Sequence, residues 1–218
     1  MAGTLPHGLL ITFEGIGGGG KSTVIARLVS RLAERRLDVV TTREPGGTPL
    51  GQQLRTLLLA GEHAPTPWTE AFLFEADRAQ TYADVILPAL AAGKIVVADR
   101  NRYGTIAYQG FGRGLDLELI DRMNATATRC REPDLIFVLD IEPTVGLRRK
   151  HGQEAVDRFD DEGLDFQRRV REGYLYAARR DEDRARVIDA GQDADTLFSA
   201  VWASVAARLA DRPTPPGG

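Results

Sequence analysis

Gly15-Ile16-Gly17-Gly18-Gly19-Gly20-Lys21-Ser22-Thr23 has the spacing G-x-x-x-x-G-K-S. That spacing suits one chemistry, the holding of a nucleoside triphosphate by its phosphates. Glycines lack a Cβ, so successive backbone N–H groups can turn inward and form an anion nest. A helix opening near Lys21 adds the positive end of its dipole. The Lys21 ammonium is then placed to reach the β- and γ-phosphates, and the Ser22 hydroxyl to ligate Mg²⁺. Gly15, Gly17, Gly18, Gly19, Gly20, Lys21, Ser22 and Thr23 form the candidate ATP-binding set. A merely flexible glycine turn would not need a short apolar strand before it and helical spacing after it, and both are present.

Other clusters point the same way. Asp99-Arg100 follows the apolar run Lys94–Ala98. An aspartate at such a strand end, beside a phosphate loop, can hold a Mg²⁺-bound water, and Arg100 can clamp phosphate with two N–H bonds. Thr42-Arg43-Glu44-Pro45-Gly46-Gly47-Thr48 sets an Arg–Glu pair against a rigid turn, and Arg55 lies one to two turns into the helix after it. Phe74, Arg78 and Thr81 are spaced i, i+4, i+7 and share a helix face. A ring that stacks and a guanidinium that donates would suit a nucleobase; a core phenylalanine with a snorkelling arginine fits the same spacing. Arg148, Arg149, Lys150 and Arg158 surround the polar segment 151–157. They read either as a solvated basic helix end or as a lid that brings charge to a transferring group. His151 reads as a surface residue, because phosphoryl transfer needs positioning and charge more than proton transfer.

These residues need a frame. Apolar runs Leu9–Phe13, Asp38–Thr42, Lys94–Ala98, Asp134–Asp140 and Arg186–Asp189 read as five strands. Helices are expected over Lys21–Arg36, Pro49–Ala60, Thr66 to about Ala91, Leu115–Thr128, Pro143–Lys150, Asp161–Arg180 and Ala194–Leu209. Gly61 is expected as a C′ glycine, Thr66-Pro67 as an N-cap with proline at the first helical position, and Pro88 as a kink. The alternation predicts an α/β fold, a parallel sheet with helices on both faces. Ligands then belong at the C-terminal strand ends.

Composition narrows the class. The chain has 218 residues and 43% hydrophobic residues, enough for one domain with a full core. Residues 1–211 are expected to form that domain, and the Pro/Gly-rich 212–218 a disordered tail. Lys+Arg total 28 against 31 Asp+Glu, a net charge of −3. That balance argues against a nucleic-acid-coating or membrane-surface protein. One cysteine, Cys130, precludes an internal disulfide and fits a cytoplasmic location. No segment is long and apolar enough to span a membrane, and Met1–Gly8 carries no secretory signal pattern.

In this order the pieces resemble the bacterial thymidylate kinases, over residues 9 to about 205. The resemblance rests on Phe13-Glu14-Gly15 with its loop, Thr42–Thr48, Leu73–Gln80, Asp99-Arg100, Ala107-Tyr108-Gln109-Gly110, Pro133-Asp134-Leu135 with Leu139-Asp140, Asp157-Arg158-Phe159, and Phe166 with Val170, Arg171 and Tyr174. It implies the P-loop NTPase fold with a five-stranded sheet and a short lid at about 148–160. The implied reaction is dTMP + ATP → dTDP + ADP with Mg²⁺ on Ser22 and Asp99, in a homodimer. Phe74 would stack on thymine and Arg78 reach its O4. Arg55 and Arg100 would hold the acceptor phosphate. Tyr108 would face the 2′ position, Thr105 and Gln109 would line the base and sugar pocket, and Glu44–Pro45 would be a cis bond. No arginine sits in the loop, so the catalytic cations would be Lys21, Arg100 and the lid's Arg149 and Arg158, with Arg148 a further candidate.

The chain departs from the family at Gly17, where a carboxylate for the acceptor's 3′-OH is usual, and at Asn101 and Gly104. Gly17 opens a rival reading, a same-fold kinase for a modified pyrimidine deoxynucleotide. A non-catalytic nucleotide-binding regulator is a further reading, against which stand Lys21, Asp99, Arg100 and the lid arginines.

Overall fold

A computed structural model describes residues 8–59, 64–151, 158–159 and 161–210. The leader reading at residues 1–7, the Gly61 cap, the polar lid segment 152–157 and the 212–218 tail lie outside the described residues. Five strands, β1 (Leu9–Glu14), β2 (Val39–Arg43), β3 (Ile95–Asp99), β4 (Leu135–Asp140) and β5 (Ala185–Asp189), form one parallel sheet in the order β2-β3-β1-β4-β5. The register sets Phe13 beside Asp99 and Phe137, and Arg43 beside Asp99. Glu14, Arg43 and Asp99 thus end neighbouring strands at one edge. The chain leaves β1 towards β2 on one side and later reaches β4 on the other. The crevice at that reversal is where open α/β sheets bind ligands.

Strand alternation separates two apolar layers. Leu9, Ile11, Phe13, Ile95 and Val97 pack in the larger core with α1 (Lys21–Glu34), α8 (Leu164–Arg180) and α9 (Ala194–Ala210). Leu10 and Val96 face the opposite way, under Tyr82, Ile86 and Ala89. Helix α2 (Pro49–Leu59) leads to α3 (Pro67–Thr81), which begins as expected: Thr66 Oγ1 accepts from the Thr69 N–H and Pro67 opens the helix. The expected kink at Pro88 is instead a π-helical turn, Tyr82–Ile86, just before α4 (Leu87–Ala91). Pro88 has no N–H to offer the carbonyl of Asp84, and the Leu87 N–H bonds to Tyr82 five residues back.

One helical stretch was not expected. Residues 102–112 form α5 (Arg102–Thr105) and a second π-helical segment, Ile106–Gly112. Gly104, Gly110 and Gly112 make that sequence look like loop, but Gly112 serves a contact. A Cβ there would lie 2.8 Å from the Phe166 ring on α8. Across the same contact, a Cβ at Gly173 would lie 2.7 Å from Ala107 Cα. Helix α6 (Leu117–Ala127) is capped by Asp116, and α7 (Pro143–His151) follows β4.

Candidate active site

A cavity of about 380 Å³ opens at the carboxyl ends of the strands. Its phosphate end is built by the turn from β1 into α1. Gly15, Gly18 and Gly20 take positive φ, +124°, +76° and +80°, whereas Gly17 does not. The loop's need for glycine therefore sits at three positions other than Gly17. Gly18 is also pinned from above, since a Cβ on it would lie 2.1 Å from the Gly146 carbonyl oxygen of α7.

Lys21 Nζ donates to the carbonyls of Gly15 (3.0 Å) and Ile16 (2.9 Å) and is buried at the cavity wall. Burial, reinforced by the Arg100 charge, pushes its ammonium down to about 8. Glu14, the last residue of β1, is shifted the other way: burial raises its carboxyl to about 7 against the pull of Arg100 and Arg78. Its Oε1 accepts from the Asn101 N–H at 2.9 Å, which ties the end of β3 to β1. Arg100 takes φ +73° and aims back over the loop. Its guanidinium donates to Gly15 O (3.0 Å) and Tyr174 Oη and lies 5.2 Å from the Tyr108 ring centre.

Asp99 and Ser22 line this same end of the cavity. Oδ1 of Asp99 is buried and meets no hydrogen-bond partner among the described residues. A hard cation would satisfy that oxygen. No group of three or more His, Cys, Asp or Glu among the described residues could hold a metal. One carboxylate and one hydroxyl fit Mg²⁺, which keeps waters and takes phosphate oxygens as its other ligands.

The far end of the cavity is lined by Pro45, Arg55, Phe74, Arg78, Thr105, Tyr108 and Gln109. The expected face of α3 is there, and the Glu44–Pro45 bond is cis. Arg78 is neither a snorkelling side chain nor a loose donor. It is buried, with Nε on Glu44 (2.8 Å), Nη1 on Glu75, Thr105 Oγ1 (2.7 Å) and Asn124 Oδ1 (2.8 Å), and Nη2 on the Asn101 carbonyl (3.1 Å). Of its five N–H groups, one on Nη2 has no acceptor among the described residues. Burial lifts the Glu44 carboxyl to about 8, opposed by Arg78. Arg55 donates to the Pro45 carbonyl at 3.1 Å.

The structure does not bring Arg149 or Arg158 to the cavity. Arg149 donates to Ala190 O (2.8 Å), beyond β5. Arg158 donates to Leu58 O (3.0 Å) and to Glu70 Oε2 (2.8 Å). Lys150 and Phe159, their chain neighbours, line it instead. Successive helix residues diverge by about 100°, so adjacent cations on α7 cannot all face the loop. Leu59, Asn101 and Phe159 are cavity residues that sequence reasoning gave no role, whereas Lys150 was read there among the lid cations. Asn101 carried a signal, as a polar residue where an aromatic is common.

The family model described as thymidylate kinase matches residues 13–201. The chain belongs to the thymidylate kinase family. It is accordingly a phosphotransferase. The thymidylate kinase of Solidesulfovibrio magneticus is 45% identical over 205 residues, covering 90% of this chain and 98% of that protein. That of Thermomicrobium roseum is 49% identical over 196 residues, covering 89% and 93%. The crystal structure of thymidylate kinase from Ehrlichia chaffeensis superposes with a TM-score of 0.75 at 33% identity, covering 92% of this chain and 99% of that one. The five-stranded parallel sheet with its phosphate loop is thus the P-loop NTPase fold of that family. Among the described residues, no helix is long and apolar enough to cross a membrane.

Proposed function

We propose that this cavity carries transfer of the terminal phosphoryl group of ATP to dTMP, giving dTDP and ADP, the reaction of the family to which the chain belongs. One observation carries the assignment of roles. A single cavity joins the phosphate end, with Lys21, Ser22, Asp99 and Arg100, to a pocket lined by Phe74, Arg78, Thr105 and Tyr108. Donor phosphates and acceptor base would then meet across Arg100.

The ATP phosphates rest on the N–H groups of residues 15–23, at the start of α1. Lys21, Arg100 and Lys150 supply positive charge where the transferring group becomes more negative. Lys21 exchanges its two carbonyl partners for phosphate oxygens. Ser22 and Asp99 hold Mg²⁺, which when bound neutralises charge among the phosphate oxygens. Arg55 and Arg100 take the acceptor phosphate. Phe74 stacks on the pyrimidine, and the remaining N–H of Arg78 donates to a ring carbonyl. Tyr108 closes the sugar side and favours a deoxyribose. Arg149 and Arg158 join the catalytic cations only by leaving Ala190 and Glu70. The enzyme works as a cytoplasmic homodimer.

A coupled ADP-release assay over a panel of nucleoside monophosphates tests the reading. dTMP should be the best acceptor, and Lys21→Ala should abolish turnover with an unchanged melting temperature. Preference for a modified pyrimidine deoxynucleotide, or no turnover with any acceptor, would contradict it.

A further inference from the structure

Glu70, in the first turn of α3, has a fully buried side chain. It was given no role by its position in the sequence. Four donors converge on its two oxygens. Oε1 accepts from Gln109 Nε2 at 2.6 Å and Arg113 Nε at 3.3 Å. Oε2 accepts from Arg113 Nη2 at 3.2 Å and Arg158 Nη2 at 2.8 Å. Glu162 adds a second carboxylate to Arg113.

Gln109 is itself buried, and it lines the acceptor end of the cavity. An amide offers a donor on one arm and an acceptor on the other, and an ionised carboxylate can only accept. Glu70 therefore dictates which arm is which. One N–H of that nitrogen is held by Glu70 at 2.6 Å, and no donor among the described residues meets Oε1 of Gln109. The Gln109 carbonyl oxygen is thus the acceptor left to meet a ligand at the cavity wall, held in one orientation.

We infer that Glu70 is a positioning residue that sets base selectivity: it fixes the Gln109 amide so that the cavity selects a pyrimidine bearing an N–H at ring position 3 over one bearing a bare nitrogen there. This rests on the proposed dTMP kinase reading. Against a bare ring nitrogen, the fixed carbonyl sets two acceptors face to face, and both stay unpaired in a buried place. Arg158, docked on the same carboxylate, places Phe159 against the rings of Phe74 (6.1 Å) and Tyr108 (5.1 Å). The carboxylate thus holds both the polar and the aromatic wall of the pocket.

The experiment compares kcat/KM for dTMP and 5-methyl-dCMP, which share the ring methyl and differ at positions 3 and 4. In Glu70→Gln the new amide can pair with Gln109 either way round. The preference for dTMP should fall about tenfold, with the KM for ATP unchanged. Gln109→Leu should lose a similar factor, and adding Glu70→Gln to it should lose no more. Arg78 is the same in every variant, so the cycle isolates Gln109. If Glu70 were only structural, the melting temperature would drop and both acceptors would suffer equally; an unchanged ratio overturns the inference. Should Glu70→Gln fail to fold, the Gln109 side-chain amide is read by NMR in the native chain, with Gln109→Leu assigning its signal. Slow exchange of those protons is expected, and rapid exchange overturns the inference. Failure of the underlying reading looks different: the native chain would not phosphorylate dTMP at all, while the amide signal would be unaffected.

Discussion

At the scale of single residues, burial has placed charges where water would not keep them, and pH exposes this. Lys21 must be an ammonium to hold phosphate, yet burial and Arg100 lower it to about 8. Its charge is present below that pH and is lost above it. kcat/KM for ATP should therefore be level on the acid side of about pH 8 with respect to this group, then fall about tenfold per pH unit. In the ternary complex the phosphates favour the charged form, so kcat should hold to higher pH than kcat/KM. A kcat/KM profile level until about pH 10, the range of an ordinary lysine, would show that Lys21 is not desolvated. Arg78 gives a second case. Truncating it strands Glu44 and Glu75, both buried. Arg78→Ala should cost about 3–5 kcal/mol of stability by denaturant unfolding. Glu44→Gln should recover part of that in the double variant. Native stability with only a raised dTMP KM would mean that Arg78 contacts substrate and little else. The sequence showed the shared face of Phe74 and Arg78, because a 3.6-residue period is local. The four distant residues that hold Arg78 were not legible, since Glu44, Asn101, Thr105 and Asn124 lie 23 to 46 residues away.

At the scale of elements, the phosphate loop was legible because everything that shapes it lies within nine residues. Its roof was not. Gly146 of α7 sits over Gly17 and Gly18, more than a hundred residues along the chain, and nothing in its local sequence marks the contact. A Cβ at Gly146 would lie 2.6 Å from the Gly17 carbonyl oxygen, and backbone cannot yield as a flexible side chain would. Gly146→Ala should lift α7 off the loop. We expect a loss of about 1–3 kcal/mol and a raised KM for ATP, with the KM for dTMP little changed. Gly104→Ala is the control. Its Cβ would meet only the Tyr174 hydroxyl, at 3.9 Å, and it lines the acceptor side of the cavity, so it should keep native stability and a native KM for ATP. Equal effects from both substitutions would show that α7 does not rest on the loop. The helical stretch 102–112 was hidden for a related reason. Three glycines suggest a loop, but Gly112 admits Phe166 of α8, and tertiary contact overrides propensity there.

At the scale of the molecule, α3 faces two ways. Phe74 and Arg78 line the cavity, while Phe72, Glu75 and Ala79 line a groove shared with Leu119, Met123 and Ala127 of α6. Phe72 is 59% exposed, an unusual cost for a large ring on a chain with a full core. Pairing of two copies across this groove would cover it and form the proposed homodimer. The same pairing would deepen the burial of Glu75, whose carboxylate holds Arg78 in the acceptor pocket. Assembly and acceptor binding would then be coupled through one side chain. Phe72→Asp places a charge in the groove without touching the cavity. By sedimentation equilibrium the native chain should run at twice its single-chain mass, and the variant at the single-chain mass. The variant should also show a raised KM for dTMP, with the KM for ATP unchanged, because Arg78 serves only the acceptor end. A native chain that is monomeric at every concentration would refute the dimer. A variant that stays dimeric would move the interface elsewhere on the surface. A monomeric variant with native KM for dTMP would keep the interface and sever its link to the pocket.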